Sequence, residues 1–314
     1  MQLSLSCGSY DRTLPILTGL VKPEGIELTL PPLDLTAGMG TAAAGTYDVY
    51  EMPLVTFIIQ WAHGDGETLR ALPIFPKRTF FHSLVLVRQD SPLRSLADLA
   101  GARMGHINWY QHAMGVWLRG HLRERFGILP EQIEWVTERA MTYPMPDPAN
   151  PSITLVPQGA SLPALLAAGR LDAVVHERAH AYLREYPTLR RLLVDSIQAE
   201  TDYFAETGCF PINHVLVMRA ERAEREPWIG DSLLAAFTAA KEMALAGFER
   251  NSSIVSSPWQ DHMVELTQAR LGPDPYPYGL EANRAPLERL VRYLHEQQFI
   301  PELLPLEPMF VPEP

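Results

Sequence analysis

The stretch SLADLAGARMG at residues 95–105 decides the fold class. Ser95 is a helix-capping residue, Gly101 stops a short helix, and residues 102–107 then have the apolar content of a buried strand. After a loop at 108–111, the spacing predicts a long helix over 112–126. Its apolar residues Met114, Trp117, Leu118, Leu122 and Phe126 fall on one stripe, and Gly127 ends it. A strand, a loop and a helix N-terminus in that order favour an anion site, because first-turn N–H groups lack intrahelical partners.

The alternation continues on both sides, which means α/β. Toward the N-terminus, strands are predicted at 2–7, 26–30, 47–52, 69–75 and 84–88, with a turn at 8–11 and a helix over 13–20. These strand ends carry Glu51, Arg78 and His82. Toward the C-terminus, 143–157 is rich in Pro, Asp and Asn and reads as a loop. Ser161 caps a helix that Gly169 terminates, and the strand 171–175 delivers His176, Glu177 and Arg178 at its carboxyl end. Ligands sit outside that end in open α/β sheets. The run YFAETGCFPINHVLVMR at 203–219 contains a strand over 210–218 that opens on Asn213 and His214, groups that must be hydrogen-bonded if they are inside. A satisfied core histidine is the competing reading for His214. Amphipathic helices follow at 231–248 and 286–298, then a Pro-rich tail over 301–314 that reads as an extended strap. No repeat or low-complexity region interrupts the pattern.

With 314 residues the chain has the length of about two domains. A formal net charge of −11 argues against a nucleic-acid partner, since phosphate binding needs a basic patch. Only Cys7 and Cys209 are present, so there is no disulfide framework and a reducing cytoplasm is the expected compartment. Neither a signal peptide nor a membrane-spanning stretch is readable.

The segments 95–105 and 165–173 (LLAAGRLDA) together resemble the type II periplasmic binding protein fold. Further segments resemble the 4,5-dihydroxyphthalate decarboxylase family, an intracellular branch of that fold: FPKRTFFHS at 75–83, WYQ at 109–111, VWLRG at 116–120, residues 207–214, EPW at 226–228 and PYGLEANR at 277–284. They span nearly the whole chain in order. The resemblance implies two lobes around a ligand cleft, each with a mixed sheet and flanking helices, joined by a double-crossover hinge. Lobe I would be 1–88 with 214–314, and lobe II 89–213. On that plan Glu51, Arg78, His82, Tyr110, Gln111, Arg178 and His214 reach the cleft. Two places depart from the family pattern. His112 stands where a small hydroxyl residue is usual, and His176-Glu177-Arg178-Ala179-His180 where a small residue, Arg and Pro are expected. Both lie at predicted cleft edges, so the substrate could differ in its substitution pattern.

The activity implied is that of a carboxy-lyase in aromatic compound degradation: a hydroxylated aromatic dicarboxylic acid loses carbon dioxide after ring protonation and leaves a catechol-type monoacid. Such a site needs a cation for the retained carboxylate, an acceptor for the phenol and an acid over the ring carbon. Arg78 and Arg178 suit the carboxylate, because a guanidinium binds it through two parallel hydrogen bonds; salt-bridge roles are the alternative. His214 is assigned as proton donor and His82 to the hydroxyls, since both ordinarily titrate near neutrality. Glu51 would orient a histidine or take a phenol proton. Tyr110 and Gln111 would bind or stack the ring, with His112 and His176 as further substrate contacts, and Trp117 and Tyr278 would pack. Cys209 reads as a structural thiol.

No cofactor is required by this chemistry. The HERAH string at 176–180 matches the zinc signature His-Glu-x-x-His, and a divalent metal on His176 and His180 is the alternative, as a hydrolase or as a Lewis acid in decarboxylation. The other alternative is a cytoplasmic solute-binding protein for an aromatic acid, since fold does not fix function. The expected partner is a small aromatic carboxylate, with a homo-oligomer compatible with the chain and neither nucleic acid nor membrane expected.

Overall fold

The computed structural model describes residues 1–33, 46–64, 68–143, 151–250 and 256–312. Its strands are β1 (Gln2–Ser6), β2 (Glu27–Thr29), β3 (Val49–Pro53), β4 (Leu69–Leu72), β5 (Val85–Arg88), β6 (Arg103–His106), β7 (Glu134–Thr137), β8 (Ile153–Leu155), β9 (Ala173–Val175), β10 (Leu189–Arg191) and β11 (His214–Arg219). The helices are α1 (Leu14–Leu17), α2 (Leu54–Ala62), α3 (Ala113–Phe126), α4 (Leu162–Ala167), α5 (Ala179–Glu185), α6 (Ser196–Thr207), α7 (Ala220–Arg225), α8 (Trp228–Arg250), α9 (Gln260–Leu271) and α10 (Arg284–Glu296). Among the described residues no helix is long and apolar enough to cross a membrane.

The chain divides into two compact units. The first comprises Met1–Arg78, Ile212–Glu288 and Leu304–Pro314, the second Thr79–Pro211 and Arg289–Leu303. In the first unit the sheet order is β2-β1-β3-β11-β4. The strand β1 runs parallel to β2 and β3, while β11 lies antiparallel between β3 and β4. Its core joins Leu3, Leu5, Val49, Leu72, Leu216 and Met218 to Ile229, Leu233 and Phe237 of α8, all buried. Each fully buried side chain of this size contributes about 1.5–3 kcal/mol.

In the second unit the order is β10-β5-β9-β6-β7-β8. Strands β9, β6, β7 and β8 pair in parallel, and β5 and β10 close one edge antiparallel. Leu86, Val136, Leu162, Leu166, Val174 and Leu189 fill its core. Ser95 opens a 3-10 turn with a capping box to Asp98, and α3 ends where Gly127 takes the left-handed conformation at φ 67°.

The unit bounds differ from the expected lobe bounds at residues 79–88, 212–213 and 289–303. Residues 79–88 fall in the second unit, because β5 hydrogen-bonds to β9 and β10. The segment Arg289–Leu303 also falls there, because Tyr293 packs its ring edge-on to Trp117 and α10 ion-pairs Arg289 and Arg292 to Glu124. Three shorter elements also differ. The expected loop 143–157 carries β8, while its residues 144–150 lie outside the described residues. The strand expected from Phe210 starts only at His214, because Pro211 lacks a donor and the preceding α6 ends at Gly208. The tail makes a 3-10 turn at Glu307–Met309 and then a parallel bridge from Phe310 to Ala71, so only part of it is an extended strap; 313–314 lie outside the described residues.

The contact between α3 and α10 depends on Gly120, where an added Cβ would sit 2.1 Å from the Tyr293 ring. The variant Gly120→Ala is therefore expected to destabilise the protein by about 1–3 kcal/mol through overpacking. A lowered urea midpoint at unchanged m checks this, and an unaltered midpoint counts against it.

Candidate active site

In the first unit, the carboxyl ends of β1 and β3 meet the amino end of the antiparallel β11. After β1 the chain turns through residues 7–13, and the wholly buried Thr13 ties the turn: its Oγ1 donates to Gly8 O at 2.6 Å and accepts from Tyr10 N at 2.9 Å. Glu51 on β3 points into this turn. Its Oε2 accepts from Gly8 N at 2.7 Å, and its Oε1 accepts from Tyr10 Oη at 2.8 Å. His214 pairs opposite Pro53 and Leu216 opposite Glu51, which puts His214 and Glu51 on one face of the sheet as diagonal neighbours. His214 Nδ1 lies 2.5 Å from the same Oε1.

The carboxylate thus fixes the imidazole with its proton on Nδ1, leaving Nε2 as the nitrogen that exchanges a proton. Burial, and then the charge of Glu51, push the Tyr10 phenol and the Cys7 thiol up, so both stay protonated. The expectation that Glu51 orients a histidine matches this geometry. Both Glu51 oxygens accept from protein donors in this arrangement.

The backbone around His214 is equally tied. Asn213 N and His214 N donate to Lys77 O at 2.9 and 3.2 Å, Leu54 N donates to Asn213 O at 2.8 Å, and Arg78 forms an antiparallel bridge with Ile212. Arg78 is buried, and its Nη2 donates to Pro277 O and to Asn283 Oδ1. Asn283 is oriented in turn by donating to Pro277 O and Gly279 O. The PYGLEANR segment therefore aims the Arg78 guanidinium.

The candidates of the second unit occupy different settings. Tyr110 is 1% exposed: its carbonyl accepts from Arg119 Nη2 at 2.7 Å, and its ring lies 3.7 Å from the Arg119 guanidinium, edge-on to Trp135 and Phe299. It is core rather than a stacking platform. Gln111 spends its amide on Tyr143, donating to Tyr143 O and accepting from Tyr143 N, so it pins a loop. His112 is the N-cap of α3 and stands edge-on to Trp109 and to His106. His106 was not singled out from the sequence; it ends β6 wholly buried, and burial, then the charge of Arg119, keep it neutral.

His176 accepts from Arg178 N through Nδ1 at 2.9 Å, which places its proton on Nε2, 3.0 Å from Tyr182 Oη. Burial lowers its pKa against the opposing pull of Glu138 and Glu177. Arg178 is exposed at the N-cap of α5. Because α5 begins only at Ala179, His176 precedes the helix and His180 is exposed on it, so the two do not share a helix face. The helical His-Glu-x-x-His geometry expected of HERAH is thereby corrected, and both ring nitrogens of His176 are engaged. Among the described residues no group of three or more His, Cys, Asp or Glu is placed to hold a metal ion.

His82 lies in an aromatic cluster. Its ring stacks on Phe81 at 4.2 Å and meets Tyr203 at 5.1 Å and His121 at 5.3 Å. Burial, and then His121, hold its pKa down to about 3, so at neutral pH it is a neutral imidazole.

Sequence reasoning missed Gly8, Tyr10 and Thr13. The available signal was a glycine two residues before a tyrosine at a strand's carboxyl end, read there as an ordinary turn. The structure shows why it is glycine: an added Cβ would lie 2.6 Å from the Tyr10 ring.

No family model matches the chain. It is 31% identical over 309 residues to a 4,5-dihydroxyphthalate decarboxylase of Comamonas testosteroni, covering 95% of this chain and 92% of that protein. A 4,5-dihydroxyphthalate decarboxylase of Pseudomonas putida is 30% identical over 212 residues, covering 65% and 81%. Among solved structures, the periplasmic aliphatic sulphonate binding protein of Escherichia coli superposes with a TM-score of 0.54 at 17% identity, over 98% of this chain and 91% of that one. This likeness shows a periplasmic-binding-protein-like fold.

The buried imidazoles carry a consequence for stability. His82 and His121 titrate at about 3 and about 4, His121 chiefly through burial, against 6.5 ordinarily. Below pH 6.5 the unfolded chain binds protons that the folded chain refuses, so their contribution to stability falls as the pH drops from 6.5 toward 4 and 3. Urea midpoints measured across that window are expected to fall less steeply in His82→Phe and His121→Phe than in the parent. Equal slopes in all three proteins would contradict the assignment.

Proposed function

Because the chain belongs to the 4,5-dihydroxyphthalate decarboxylase family, we propose that it decarboxylates 4,5-dihydroxyphthalate, with His214 as the proton donor. The observation that carries the acid assignment is the buried pair of His214 and Glu51 at the strand ends of the first unit. In this reading the His214 imidazolium delivers its Nε2 proton to the ring carbon that bears one carboxylate, para to a hydroxyl. The bond from that carbon to the carboxylate then breaks, its electron pair restores the aromatic ring, and carbon dioxide leaves. The product keeps the second carboxylate and both hydroxyls, and the neutral imidazole regains a proton from water. Arg78 binds the retained carboxylate through its aimed guanidinium. Glu51 holds the ring of His214 in place in a site from which bulk water is largely removed.

The steps run on side chains alone, without an organic cofactor. A binding protein for an aromatic acid is not favoured, since the likeness to binding proteins is one of fold only. Cys7 and Cys209 are buried and neither is in a disulfide, which supports a reducing compartment such as the cytoplasm.

Incubating purified protein with 4,5-dihydroxyphthalate and following carbon dioxide release tests the reading directly. Turnover that survives chelation is expected; binding without turnover overturns the reaction, and activity lost to chelator and restored by a divalent metal overturns the metal-free mechanism. In His214→Ala, kcat is expected to fall by about 10²–10⁴ with ligand binding retained. Unchanged turnover would remove His214 from the mechanism. Arg78→Lys keeps the charge but loses the planar fork, and is expected to raise KM about tenfold.

A further inference from the structure

We propose that Tyr10 is a positioning residue which, through Glu51 Oε1, sets how tightly the His214 imidazole is held for proton delivery. The kinetic part rests on the decarboxylase reading; the coupling itself does not. Oε1 receives two donors, Tyr10 Oη at 2.8 Å and His214 Nδ1 at 2.5 Å, whereas Oε2 receives Gly8 N. The Glu51 side chain is 0% exposed, so this carboxylate depends on protein donors. A hydrogen bond to a carboxylate stabilises its charge and lowers its pull on other protons. Two donors on one oxygen therefore compete, and the hydroxyl of Tyr10 tempers the grip of Glu51 on His214.

The surroundings are built to hold that hydroxyl in place. Gly8 lacks the Cβ that would collide with the Tyr10 ring, and Thr13 fixes the Tyr10 backbone. The Arg12 guanidinium lies 4.7 Å from the Tyr10 ring and 3.9 Å from that of Tyr276, and donates through Nε to Pro76 O at 2.8 Å. Packing of this kind needs the ring of Tyr10 and not its oxygen. The oxygen donates to Glu51 Oε1, so Tyr10→Phe removes that bond and keeps the ring.

The test reads the Nδ1 proton of His214 by NMR in protein carrying nitrogen-labelled histidine, assigned by its loss in His214→Ala, alongside steady-state kinetics. In Tyr10→Phe the resonance is expected to move while the melting temperature is kept, and kcat to fall about tenfold with KM within about twofold. Gly8→Ala, which pushes the Tyr10 ring off Glu51, is expected to move the resonance in the same direction. A resonance unmoved in Tyr10→Phe overturns the proposal, as does a moved resonance with unchanged kcat. If the parent protein turns over no 4,5-dihydroxyphthalate, the decarboxylase reading fails and the resonance alone decides the coupling.

Discussion

A carboxylate buried away from water is the constraint on which the first unit depends. Glu51 has no exposed side-chain surface, and an ion in that position is tolerated only when donors surround it. Those donors come from separate stretches of chain: a main-chain N–H at Gly8, a phenol at Tyr10 and an imidazole at His214. Meeting the requirement fixes much else. The strands β1, β3 and β11 must be neighbours, β11 must run antiparallel so that its amino end arrives beside Glu51, and the turn after β1 must accept a ring where a side chain would normally start. The sheet order and the glycine both follow from the needs of one oxygen pair.

The second unit buries charge by a different route. Arg119, 1% exposed, donates to Gln297 Oε1 and to the Tyr110 carbonyl and lies against the faces of Tyr110, Trp135 and Phe299. Burial lowers its pKa only to about 10, with Tyr110 opposing, so the guanidinium keeps its charge. Such a cation is held by carbonyl dipoles and by aromatic quadrupoles. Gly115 and Gly120 keep α3 thin enough for His106, Arg119 and Tyr293 to close on it. Tyr110 and Gln111 are drawn into this scaffold, which explains why residues that look like ligand contacts in the sequence act as supports.

The fold itself does not separate a binding protein from an enzyme, and a likeness at 17% identity to a sulphonate-binding protein carries no chemistry. Chemistry enters with a titratable group held in one tautomer by a neighbour that cannot move. Of the histidines that the chain places in its strands and turns, His214 has such a neighbour, whereas His82, His106 and His176 are kept neutral by burial.

The α/β class, the capped turn at Ser95, the extent of α3 and the strand that carries His214 were all legible from residue order, because caps, glycine stops and apolar stripes act over a few residues. The segments from 75–83 to 277–284 also marked the family. The surroundings of each histidine were not legible, since His82 and His214 look alike as letters beside strand ends. Tertiary structure gives one a carboxylate 2.5 Å away and the other a wall of aromatic rings. It likewise decided that HERAH does not form one helical turn, because the helix begins only at Ala179. Local sequence determines periodicity, whereas the charge state of a buried group depends on neighbours that arrive from distant parts of the chain.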